Sequence, residues 1–210
     1  EYGLPYFAAR TLKGVLRDRA NWYVECLSEE KQPKYKNALL QLFGKADDGG
    51  EHYSNYEALR IGNAKLSESL YKVVQEEKST LRETMKAISS IRGMTSIDDN
   101  KGTAEKRSLR QARVIHSGYT FVAPIFLNRT LSEVEKELLS ISVKLLRHIG
   151  MMRNRGKGEV ACTLYWNEQK EVNVVSKRVN DDDKYIYLTI DAEEPLKIND
   201  VVRTSNSTKA

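Results

Sequence analysis

Arg153, Arg155 and Lys157 place three cations within five residues, and Gly156 and Gly158 flank the last of them. Glycine lets a backbone approach a bulky anion and adopt positive φ, so this basic glycine stretch has the chemistry of a phosphate-binding loop. Surface cations solvated at an ordinary turn are the plain alternative. In nucleotide-binding loops the glycines lie between a strand and the helix after it, which aims the helix N-terminus at the phosphates. Here a helical pattern comes first and ends at Gly150, and a strand pattern follows from Glu159. That order disfavours a mononucleotide pocket and leaves a polymer backbone as the better ligand.

A second basic stretch, Thr95 to Arg113, has few large apolar residues and carries Lys101, Lys106, Arg107, Arg110 and Arg113. A loop of that length inside a domain is functional or disordered, and its cations suit a hairpin or arm lying along phosphates. Lys13 and Arg17, with Arg10, fall near one side of the first turns of a helix.

Catalytic chemistry is less well supplied. His52 is in a loop, His116 near a strand end and His148 on a helix beside cations. A histidine acid/base needs reach and a tuned pKa, and spacing shows neither. Asp98 and Asp99 read as turn residues, because magnesium asks for several oxygen ligands in octahedral geometry. Trp22, Trp166 and most tyrosines read as core aromatics, with base stacking as the alternative.

The elements that must position these groups follow from periodicity. Leu12, Val15, Leu16, Ala20, Tyr23, Val24 and Leu27 form a helical stripe over about 8–27. A short helix is expected over 33–43, stopped at Gly44, and a strand over 58–66. A charged helical insertion is expected over 70–91. Strands are expected at 113–116 and 119–127. Ser132 followed by Glu135 has capping-box spacing, and the helix it starts buries Val134, Leu138, Ile141, Leu145 and Ile149. Strands over 159–166 and 171–177 read as a pair, 180–184 is an acidic break, and 185–190 alternates as a strand.

The 210 residues allow one large or two small domains. A net charge of +5, from 34 Lys+Arg against 29 Asp+Glu, is a modest excess. A nucleic-acid surface must therefore come from placement of the cations. Cys26 and Cys162 have no CxxC partner, which argues against zinc and a disulfide framework and fits a reducing cytoplasm. No apolar run reaches the ~18 residues of a membrane span. The chain begins at Glu1 without methionine, which points to missing upstream residues.

Four segments together resemble the RAMP superfamily, whose members build CRISPR effector complexes. Leu4-Pro5-Tyr6 through Leu12-Lys13-Gly14 to Leu16-Arg17 is similar to its first helix entry, with Phe7-Ala8-Ala9-Arg10 where small turn residues are usual. Ile97-Asp98 through Gly102-Thr103-Ala104 to Leu109 resembles a segment of type III backbone subunits, and Gly118-Tyr119-Thr120-Phe121 follows in order. Ile149-Gly150 through Arg153 to Val160 resembles the glycine-rich loop, with Lys157 where an aromatic is frequent.

The resemblance implies an α+β, ferredoxin-like (RRM-like) βαββαβ core with an inserted helical segment and a long basic loop or hairpin. Guide RNA would lie across the sheet face and the glycine loop, with complementary target RNA and other effector subunits or tandem modules as partners and no membrane. Lys13, Arg17, Lys101, Lys106, Arg107, Arg110, Arg113, Arg153, Arg155, Gly156, Lys157 and Gly158 are the expected RNA contacts. The first core strand is missing or displaced. Tyr185 to Ile198 looks like that strand, so residues 1–180 are expected to form the domain and 181–210 a linker into the first strand of a following module. Completion of the sheet out of order is the alternative.

A non-catalytic RNA-binding subunit is the expected function, without a cofactor. The alternative is an endoribonuclease acting on target RNA or the guide precursor, with Asp200 or His116 as candidates and a divalent metal entering only in that case.

Overall fold

A computed structural model describes residues 4–44, 58–77, 80–97, 101–104, 107–150, 158–166, 185–192 and 196–197. In chain order the strands are β1 (Tyr6–Phe7), β2 (Leu59–Ile61), β3 (Ala64–Leu66), β4 (Ser89–Met94), β5 (Arg110–Ile115), β6 (Thr120–Leu127), β7 (Val160–Tyr165), β8 (Tyr185–Ala192) and β9 (Leu196–Lys197). The helices are α1 (Ala9–Glu25), α2 (Gln32–Phe43), α3 (Glu68–Glu76), α4 (Leu81–Ile88) and α5 (Glu133–Lys144).

The stripe read for α1 is the one that is buried: Leu12, Leu16, Ala20 and Val24 recur every four residues and face the core. Its N-cap position is Ala8, which has no side-chain acceptor. Asn63 supplies one from across the fold, its Oδ1 accepting the Ala9 N–H at 2.8 Å. In α5 the capping box forms as expected: Ser132 Oγ accepts from the Glu135 N–H, and the Glu135 carboxylate accepts from the Ser132 N–H. That helix does not run on to Gly150. It stops at Lys144, because the backbone beyond it pairs with the chain leading into β7. Its buried face is correspondingly rotated toward Glu135, Leu138, Leu139, Ser142 and Val143.

The charged insertion differs more. A single helix over 70–91 becomes two, because Thr80 and Glu83 form a second capping box that restarts the helix, and Ser89–Met94 leaves it as a strand paired with β5. The strand expected at 113–116 is longer and starts at Arg110. With β9 these strands make a small sheet ordered β4-β5-β9.

The main sheet is antiparallel and ordered β1-β3-β6-β8-β7, with β2 also paired to β6. Its inner face presents Phe121, Ala123, Ile125, Ile186, Leu188 and Ile190, which join Leu12, Leu16, Leu138 and Leu139 of α1 and α5 in one core. Each large apolar side chain there contributes about 1.5–3 kcal/mol relative to exposure.

β8 lies between β6 and β7, antiparallel to both, which is the slot of the first strand in a ferredoxin-like sheet. The strand expected to open a following module therefore sits inside this sheet, and the sheet crosses the boundary drawn near residue 180. Without β8 the facing edges of β6 and β7 would leave their backbone groups unpaired. The expected partner strand at 171–177 and the break at 180–184 lie outside the described residues.

Candidate nucleic-acid interface

The root of the basic arm and the base of the glycine loop lie on either side of one end of β8. β4 and β5 form an antiparallel hairpin arm in register from Ser89↔Ile115 to Met94↔Arg110, and an Ile97↔Ala104 bridge continues it outward. The long basic segment is thus a hairpin, not a loop. Its outer part is pinned by Ser108, whose hydroxyl accepts the Ser96 N–H at 3.1 Å. Lys101, Arg107 and Arg110 are exposed on this arm. Arg107 adopts φ 63°, a left-handed backbone that a non-glycine residue holds at a cost.

Arg113 behaves differently from its neighbours. Three residues from Arg110 along a strand, it occupies the opposite face, half-buried, and donates to Ser89 Oγ at 3.1 Å. Arg92, which pairs with Ala112 on the face of Arg110, is exposed and was missed by sequence reasoning, because the helix read over 70–91 took in the start of its strand. Lys106 lies outside the described residues.

The glycine loop is closed at its base by backbone contacts on both sides. His148 and Glu159 form a bridge, the Ile149 N–H donates to the Gly158 carbonyl at 2.9 Å, and the Val160 N–H donates to the Arg147 carbonyl at 2.8 Å. Gly150 and Gly158 hold φ of 95° and 77° at the two ends of the loop, the conformation that glycine alone takes without strain. Arg153, Arg155, Gly156 and Lys157 lie outside the described residues.

The arm's root and this loop base flank the end of β8. The Gly118 N–H donates to the Ala192 carbonyl at 2.7 Å, the Ala192 N–H donates to the Tyr119 carbonyl at 3.0 Å, and Val160 pairs with Ala192 on the other side. Two strand spacings, about 10 Å, separate the two elements there. His116 stands exposed at the arm's root, its N–H bonded to the Ile88 carbonyl at 3.0 Å. Asp200 lies outside the described residues. Lys13 and Arg17, four apart and so on one side of α1, are half-buried and engaged within the protein.

Sequence reasoning expected RNA on the sheet face but missed Arg60 and Lys65, which are exposed on its outer side together with Tyr165. Arg60 and Lys65 are five apart, which in an unbroken strand means opposite faces. A bulge at Gly62 and Asn63 shifts the phase: Ile61 pairs with Ile125, but Lys65 pairs with Val122. The readable signal was the change of apolar parity from Leu59 and Ile61 to Ala64 and Leu66.

Burial pushes the Cys162 thiol up to about 12, so it stays protonated near neutral pH. Among the described residues no three His, Cys, Asp or Glu side chains come together, and no helix is long and apolar enough to cross a membrane.

The family model described as the RAMP superfamily matches residues 1–161, a span that includes the arm, the glycine loop and the start of β7. No curated protein matches the chain.

Proposed function

The chain belongs to the RAMP superfamily, and on that premise we propose that it is an RNA-binding subunit of a CRISPR ribonucleoprotein, holding its RNA through phosphates. The observation that carries this reading is the convergence of the arm's root and the glycine-loop base on either side of Ala192. Between Ser89 and Ile115 the sequence has the cations Arg92, Lys101, Lys106, Arg107, Arg110 and Arg113 against the carboxylates Asp98, Asp99 and Glu105. An arm with that excess follows a polyanion, while Arg153, Arg155 and Lys157 hold the same strand at the loop.

Within this reading the RNA is the guide of a type III effector complex in antiviral defence, its complementary target lies alongside, and other effector subunits or modules are the protein partners, in the cytoplasm. Phosphate contacts carry no sequence information, so binding is sequence-tolerant and falls steeply with salt. The test is affinity for single-stranded RNA across a salt series, for the protein and for Lys101→Ala/Arg110→Ala and Arg153→Ala/Arg155→Ala variants. Each pair should flatten the salt slope by about 1–2 units. Binding indifferent to salt, or unaltered in both variants, defeats the reading. The endoribonuclease reading rests on exposed His116 at the same root, and a complementary RNA cleaved equally by His116→Ala removes that residue from it.

A further inference from the structure

We propose that the outward face of α1, centred on Trp22, is a docking site for a basic segment of a partner protein, with an arginine of that segment stacked on the indole between the Asp18 and Glu25 carboxylates. The site lies in the helical layer and does not depend on the phosphate contacts of the arm and loop.

The indole itself is the first observation. Expected in the core, Trp22 is instead 54% exposed, because the buried stripe of α1 runs through Leu12, Leu16, Ala20 and Val24 and leaves position 22 turned outward. Tryptophan is among the residue types that most often anchor a protein interface, and its π face is the best aromatic partner for a cation.

Its surroundings are the second. Asp18 lies one turn before Trp22 and Glu25 one turn after, the i−4 and i+3 spacings that set side chains next to one another on a helix, and both are exposed. Asn21 Nδ2 donates to Glu25 Oε1 at 2.7 Å, which ties that carboxylate to the same face.

The third is an imbalance of charge. From Asp18 to Glu30 four carboxylates, Asp18, Glu25, Glu29 and Glu30, stand against one cation, Arg19, in a chain whose net charge is +5. Arg19 is half-buried with its Nε out of water, while all four carboxylates are exposed. The last turn of α1 has no basic residue, so Glu25 sits unrelieved at the negative end of the helix dipole. The next cations, Lys31 and Lys34, belong to the start of α2. A cation supplied from outside relieves both the carboxylates and the helix end. Guanidinium fits better than ammonium, because it stacks flat on the indole while its N–H groups reach a carboxylate. Phosphate is repelled there. The stripe opposite this face packs into the core under the sheet, so a protein segment on α1 and RNA on the arm and loop can be held at once.

The experiment measures binding of dye-labelled hexa-arginine and hexa-lysine peptides to the full chain by fluorescence anisotropy. Wild-type protein should bind hexa-arginine about threefold more tightly than hexa-lysine. Trp22→Ala should abolish that preference, and Asp18→Asn/Glu25→Gln should weaken both peptides about three- to tenfold. All three positions are exposed, so the variants should unfold in urea as the wild type does and keep its affinity for single-stranded RNA. Trp166→Ala, at the other tryptophan, should leave the preference intact.

Equal affinity for the two peptides, or a preference unchanged by Trp22→Ala, overturns the proposal, as does a preference lost in Trp166→Ala instead. RNA affinity altered by Trp22→Ala gives the face to nucleic acid. Self-association that disappears in Trp22→Ala, without any peptide preference in the wild type, gives it to a second copy of the chain; either result overturns the proposal.

Discussion

Pro124 lies in the middle of a strand paired on both sides, where a residue without an N–H is normally excluded. It is tolerated because the partner strand bulges there: the Pro124 carbonyl still accepts the Gly62 N–H at 2.8 Å, and its ring fills the place of the missing donor. A Cβ on Gly62 would lie 2.8 Å from Pro124 Cγ. Gly62→Ala should therefore lose about 1–3 kcal/mol by overpacking. Gly14, in α1 with nothing within 4 Å, should do the reverse. There Gly14→Ala gains up to about 1 kcal/mol of helix propensity. Urea unfolding of the two variants reads the opposite signs. Arg107 separates strain from function in the same way. Arg107→Gly should raise stability by about 1 kcal/mol by releasing the left-handed backbone, while lowering the salt slope of RNA binding by about 1. Arg107→Ala should show only the second effect.

Among the elements, α5 carries the heaviest local signal and the most demanding charge. The Glu135 carboxylate is nearly buried and accepts from Arg129 on both oxygens, one at 2.9 Å, as well as from Ser132. The Arg129 guanidinium, and then the Ser132 hydrogen bonds, hold its pKa below the usual carboxylate range against the opposing effect of burial. A depressed folded value means that this stability is present above the unfolded pKa, about 4.3. It is lost as pH falls through the lower folded value. Glu135→Gln should cost about 1–2 kcal/mol at neutral pH, modest for a charged hydrogen bond because Arg129 is partly solvated. The gap between wild type and variant in urea midpoint should close on acidification toward and below that folded value, and a gap that widens contradicts the assignment. α2 is tied to α5 through Tyr35, which donates to Glu137 at 2.7 Å, and that hydrogen bond leads burial in raising the Tyr35 pKa to about 12.

At the scale of the whole molecule, the sheet depends on its last long strand. Leu188 is fully buried between β6 and β7 neighbours, so Leu188→Ala should cost about 2–5 kcal/mol. Ending the chain before Tyr185 should abolish cooperative unfolding and promote association through the bared strand edges; a monomer with a sharp urea transition would contradict this. Sequence by itself determined what depends on neighbours a few residues apart. The stripe of α1, the Ser132 and Glu135 capping box, the stop at Gly44 and the alternation of β6 and β8 were all readable from spacing. The order of the basic and glycine motifs gave the family. Tertiary structure alone decided the rest. It placed Tyr185–Ala192 in the first-strand slot, capped α1 with Asn63, and brought Arg60 and Lys65 to one face through the bulge opposite Pro124. Each of these joins residues distant in the chain, and periodicity specifies which side of an element is apolar without specifying which distant edge it must pair with.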